Sequence, residues 1–248
     1  MRLATICLAP IFGLSSLAHA ECSVSSAATR SHLLELYTSE GCSSCPPADR
    51  WLSALPDAPG LVPLAFHVDY WDSPAWTDRF ADPRFTQRQN ALAAHANSTV
   101  VYTPEVALDG REWRGWQSGK PSSANAAPLV ALSLHVDSTQ PLRVRLDAKP
   151  LDAAGANAYV AYVALAENQL SSAVRGGENS GAQLHHDHVV RAFAGPLTLA
   201  SAQATLDVPA DLQREHAAVV AFVQRVKDGE IVDVVQLPLA GCAADGGG

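Results

Sequence analysis

Cys42 and Cys45, with Ser43 and Ser44 between them and Pro46-Pro47 behind, are the best-equipped residues for chemistry in this 248-residue chain. Two thiols at this spacing can close into a disulfide and reopen, which is what dithiol exchange requires. Proline opens a helix where a missing N–H does no harm, so Cys42 falls at the turn into a helix N-terminus. Unsatisfied N–H groups and the helix dipole favour a thiolate there. Cys42 is therefore expected to attack first and Cys45 to resolve the mixed disulfide. A structural zinc half-site needs a second Cys pair or a His pair at matching spacing. The remaining cysteines, Cys7, Cys22 and Cys242, are isolated in sequence. A purely structural bond closing so short a loop gains little stability. Glu40, close to the motif, opposes thiolate formation by its charge.

A second constellation is His185-His186-Asp187-His188. If a strand begins there, His186 and His188 share one face, and with Cys42 and Cys45 they make an alternative ligand set for copper or zinc. That reading is a metal carrier; the plainer expectation is a polar loop entering a strand. A third reading is a non-catalytic secreted binding module with inert cysteines. Under the exchange reading no metal or other cofactor is expected, because the Cys42–Cys45 disulfide is itself the redox-active group.

The N-terminus sets the compartment. Arg2, the apolar stretch from Leu3 to Leu17 and Ala18-His19-Ala20 make a secretory signal with cleavage after Ala20. The protein is expected in the periplasm or secreted, and not embedded in a membrane, since no later run reaches ~20 apolar residues. Cys7 leaves with the signal, and Cys22 and Cys242 then either pair or remain as thiols at the two ends. With 17 basic against 25 acidic residues and a net charge of −8, the balance has the wrong sign for a nucleic-acid surface.

The elements that must position the cysteines alternate strand and helix. Leu33–Tyr37 reads as a strand, and Ala48, Trp51, Leu52 and Leu55 place an apolar stripe on the helix that follows. Leu61–Tyr70 reads as a central strand and Arg84–His95 as a helix. Glu105–Leu108 and Arg111–Trp113 flank an Asp109-Gly110 turn. This order predicts an α/β domain with a mostly parallel sheet over residues 30–115. Residues 116–128 read as a linker. Six or seven short strands over 129–240 predict an antiparallel β-sandwich domain.

The run from Glu35 to Asp49, with Phe66-His-Val-Asp-Tyr-Trp71 and Val101-Tyr-Thr-Pro104, resembles the secreted thioredoxin-like family catalogued as domain of unknown function 1223. Gly177-Glu178-Asn179 and His186 to Val190 extend the resemblance into the β-rich part. It implies a thioredoxin-like fold for the first domain and a redox role acting on protein thiols or disulfides, with an unidentified recycling partner. It also implies a cis-proline at Pro104 facing the cysteine pair, with the Thr103 backbone holding an extended substrate. By the same resemblance Glu35, on the strand beneath the pair, takes protons from the resolving thiol, although its spacing to Cys42 is one residue longer than the usual pattern. His67, Asp69, Trp71 and Trp76 are candidates for lining a cleft nearby.

Overall fold

The structure is a computed structural model that describes residues 22–55, 60–121 and 126–242. The expected signal peptide lies outside the described residues, as do residues 122–125 of the expected linker. The chain runs through β1 (Ser23–Ser25) and β2 (His32–Thr38), turns through the cysteines into α1 (Pro46–Ser53), and returns as β3 (Leu61–His67). Next come α2 (Pro83–His95), β4 (Glu105–Leu108) and β5 (Arg111–Glu112). The rest is strand: β6 (Val130–Thr139), β7 (Leu142–Pro150), β8 (Tyr159–Glu167), β9 (Leu170–Ala173) and β10 (Gln183–His186). It closes with β11 (Val189–Thr198), β12 (Gln203–Leu206), β13 (Ala217–Arg225) and β14 (Ile231–Pro238).

Among the described residues the fold is mostly β-sheet with two α-helices. Eight strands form one sheet in the order β14-β13-β8-β11-β3-β2-β4-β5, and β1-β6-β7-β12 form a second. Among the described residues only β2–β3 and β3–β11 are parallel pairs, so the expectation of a mostly parallel sheet fails beyond the centre. The physical reason is that β3 does not end the first segment's sheet. Leu64 and Phe66 bury one face of it and Ala65 the other, and β11 adds to its free edge, bringing β8, β13 and β14 with it. The strands expected to form a separate sandwich thus divide, part joining the central sheet and part facing it.

Strand alternation sorts the packing. On one face of the central sheet Leu33, Tyr37, Leu64, Phe66, Phe193 and Phe222 pack with Phe85 and Leu92 of α2. On the other, Leu34, Leu36, Ala65 and Val106 receive Ala48 and Leu52 of α1. Further along, Tyr159, Val163, Val219 and Val223 pack against Val130, Leu132, Leu134 and Val144 of the second sheet. An eight-residue helix does not hold in water by itself. α1 persists because fully burying each such side chain contributes roughly 1.5–3 kcal/mol.

Cys22 and Cys242 pair as a disulfide with Cα atoms 5.2 Å apart, settling the choice the sequence left open. Arg30 reaches Asp109 (3.1 Å) and Glu230 (3.1 Å), and Asp109 O accepts from Ile231 N (3.1 Å). These bonds tie the first segment to the last strand. The described start of the expected linker docks too: Trp116 lies 5.9 Å from Trp51 of α1, whose Nε1 donates to Gly119 O (3.1 Å).

Candidate functional site

The cysteine turn follows directly from β2. Cys42 N donates to Ser39 O, and Cys45 N to Cys42 O, each at 3.2 Å, forming tight turns into α1 with Cys45 as its N-cap. Cys42 and Cys45 are bonded as a disulfide, Cα atoms 5.4 Å apart, and both are fully buried. The Ser44 hydroxyl stands 3.3 Å from the Cys42 sulfur. Cys42 thus lies in the turn leading into α1, as its position before Pro46-Pro47 implied.

Beneath the pair lies a cluster of titratable side chains: Glu40, Asp49, His67, Asp78 and His186, all buried. Asp49 sits one helical turn beyond Cys45 and donates its N–H to the Cys45 carbonyl (3.1 Å), which puts the two side chains on one helix face. Its Oδ1 accepts from Thr38 Oγ1 (2.8 Å), and burial pushes its carboxyl above the usual aspartate range despite the pull of His67 and His186. Asp78 Oδ2 accepts from Glu40 N (2.9 Å) and pairs with His67 Nδ1 (2.7 Å). Burial works against both charges in that pair. The attraction outweighs it, holding Asp78 low and His67 high. The His67 and His186 rings meet edge to face, 5.0 Å apart, and His186 Nε2 lies 3.3 Å from Glu40 Oε1 without hydrogen-bond geometry.

The hairpin of β9 and β10 closes over this turn. Asn179 Nδ2 donates to the carbonyls of Glu40 and Cys42, both at 2.9 Å. Glu178 Oε2 accepts from Ser43 N (3.0 Å) and Ser43 Oγ (2.6 Å). A close approach seats the tip: a Cβ on Gly176 would come 2.0 Å from Ala75 O.

Thr103 is linked to the cysteine turn through Trp71, whereas Glu35 lies on the α2 side of the sheet. The Thr103–Pro104 peptide is cis. Trp71 bridges the gap, with its backbone against Gly41 and its Nε1 donating to Thr103 Oγ1 (2.7 Å). Trp76 Nε1 donates to Glu40 Oε2 (3.2 Å), so Trp71 and Trp76 both pack on the turn. Glu35 occupies the odd-numbered face of β2 with Leu33 and Tyr37, on the α2 side, bonded to Arg88 Nε (2.5 Å) and the Tyr37 hydroxyl (3.1 Å). The cysteines and Asp49 lie on the α1 side with Leu34 and Leu36. His186 and His188 do not share a strand face either. β10 ends at His186, and His188 has φ 59° in the turn into β11. No group of three or more His, Cys, Asp and Glu side chains placed to hold a metal occurs among the described residues.

Asp49, Asp78 and the role of Glu178 and Asn179 were not read from the sequence. Asp49 carried a usable signal, its four-residue spacing from Cys45 on a predicted helix. The hairpin carried none: four-residue strands, LSSA and QLHH, with little apolar pattern.

A family model described as a protein of unknown function, DUF1223, matches residues 33–224. A crystal structure of a protein from Agrobacterium tumefaciens superposes with a TM-score of 0.57 at 22% identity, covering 83% of this chain and 93% of its own. The structure of HBP35 of Porphyromonas gingivalis gives a TM-score of 0.59 at 14% identity, covering 90% of this chain and 79% of its own. At these identities the likeness speaks to the fold alone. No curated protein matches the chain.

Proposed function

This chain belongs to the DUF1223 family of proteins of unknown function, and from that premise we propose that it is an extracytoplasmic thiol–disulfide exchange protein working through Cys42 and Cys45 on a thioredoxin-like framework. The observation that carries the reading is the bonded Cys42–Cys45 pair at the strand-to-helix turn, with the cis Thr103–Pro104 loop linked to it through Trp71. Two disulfides in one chain fit an oxidising compartment. No helix among the described residues is long and apolar enough to cross a membrane.

In the direction that oxidises a substrate, a substrate thiolate attacks the Cys42 sulfur and Cys45 leaves as a thiolate. The substrate's second thiolate then attacks its own sulfur in the mixed disulfide, releasing Cys42. In the reverse direction Cys42 attacks, and Cys45 displaces the substrate. Either way Cys45 needs a proton donor or acceptor, and Asp49 serves: it shares the helix face of Cys45, and its raised carboxyl pKa suits proton transfer nearer neutrality. This role passes to Asp49 from Glu35, which is engaged by Arg88 across the sheet. The backbone of Thr103 remains the proposed rest for an extended substrate beside Pro104.

Reduced Cys45→Ala, mixed with a peptide carrying one disulfide, should accumulate a reductant-sensitive mixed disulfide at Cys42 on a non-reducing gel. Cys42→Ala should accumulate none. Equal trapping by both variants reverses or erases the assigned roles.

A further inference from the structure

The Cys42 side chain has no solvent exposure, and the β9–β10 hairpin is anchored beside it, with Asn179 on its carbonyl. The second anchor of the tip is electrostatic in kind. Glu178 places a carboxylate on the Ser43 N–H and hydroxyl, the donors next to Cys42 at the start of the helical turn. Pro46 and Pro47 remove two further N–H groups from that end, so donors there are scarce.

We propose that the hairpin tip is a redox-responsive lid, and that Glu178 is the positioning residue that couples it to the cysteine pair. With the disulfide closed, the pair is neutral and Glu178 takes the Ser43 donors, holding the lid shut. When Cys42 becomes a thiolate, a second negative charge appears beside the same donors, repels Glu178, and frees the tip to lift. A nucleophile is thereby uncovered in the state that can use it. The corollary is that Glu178 favours the disulfide over the thiolate. It therefore makes the pair harder to reduce, because whatever destabilises the reduced form does so. Glu178 is exposed, so solvent screens the effect and keeps it modest. Hydrogen bonding to Ser43 keeps its own carboxyl low, so it is charged through the neutral range. This inference rests on the exchange reading for its purpose but not for its test.

The experiment uses the full mature chain, reduced chemically with a phosphine, as wild type, Glu178→Gln and Asn179→Ala. Two quantities are followed: the pH midpoint of Cys42 thiolate formation, by ultraviolet absorbance, and the rate of alkylation of Cys42. Glu40, Asp49, Asp78, His67 and His186 surround the turn in every variant, so differences isolate the lid. Glu178→Gln should lower the midpoint and shift the exchange equilibrium with glutathione about three- to tenfold toward the reduced pair. Asn179→Ala should speed alkylation, most at acid pH where the lid stays shut in wild type, and, because a looser lid is easier for the thiolate to lift, lower the midpoint in the same direction as Glu178→Gln. If Glu178→Gln moves neither midpoint nor equilibrium, Glu178 is a surface contact and the lid is not redox-responsive. If wild type fails to exchange with glutathione, the exchange function falls. The midpoint and alkylation rates still decide whether the lid is coupled to the thiolate.

Discussion

Asp49 carries the argument at the scale of single residues, because in the proposed exchange its protonation sets how fast Cys45 leaves or attacks. Its carboxyl is raised chiefly by burial, against the lowering influence of His67 and His186. Asp49→Asn keeps the size and the contact with Thr38 but cannot exchange a proton. Rapid-quench kinetics should show formation of the Cys42 mixed disulfide unchanged and its resolution slowed on the order of 10²-fold. Equal slowing of both steps would assign Asp49 to packing. The same residue has a thermodynamic signature. A carboxyl with a raised folded-state pKa contributes stability that is fully present below the unfolded value and lost as pH rises through the folded one. Urea unfolding should therefore find Asp49→Asn more stable than wild type at about pH 7 and little different at about pH 4. Asp78 has the opposite sign. It is held low by His67, so its contribution is lost as pH falls through its lowered value.

Strands and helices divide sharply in how readable they were. The helix after the cysteines announced itself through Pro46-Pro47 and the stripe of Ala48, Trp51 and Leu52, and α2 was read as Arg84–His95, one residue short of its start at Pro83, where Asp82 caps it. The phase of β2 was not legible. His-Leu-Leu-Glu-Leu-Tyr-Thr is buried along its whole length, so alternation gives no hint that Glu35 faces α2 while Thr38 faces α1. The β9–β10 hairpin escaped because its strands are short and its partners, Glu40 to Ser43, lie more than a hundred residues away in sequence. Its seat depends on Gly176, where any side chain meets the Ala75 carbonyl. Gly176→Ala should therefore displace the tip, costing about 1–3 kcal/mol if the clash is relieved by backbone movement. Amide hydrogen exchange across residues 174–182 should rise by at least tenfold with the rest of the sheet unchanged. Unchanged protection there would mean the hairpin does not depend on this approach.

Across the whole molecule the two segments read from sequence share a sheet. β11 pairs with β3, Arg30 joins Asp109 to Glu230, and Cys22 closes on Cys242. The linker composition was legible, but the edge of β3 was not, because a central strand and an edge strand awaiting a partner carry the same apolar run. The two disulfides differ in what they do for this assembly. By chain entropy, closing a sequence separation of 220 residues contributes about 5 kcal/mol, whereas closing three residues contributes roughly 2. Cys22–Cys242 therefore suits a fixed staple, and Cys42–Cys45 can open at little cost to the fold. The most direct measurement equilibrates the folded chain across a series of glutathione redox buffers, quenches in acid, alkylates free thiols and counts them by mass spectrometry. Cys42 and Cys45 should open and close together and reversibly, while Cys22–Cys242 stays bonded and the far-ultraviolet spectrum is unchanged. A Cys42–Cys45 bond that opens only together with Cys22–Cys242, or only as the sheet unfolds, would contradict the exchange function.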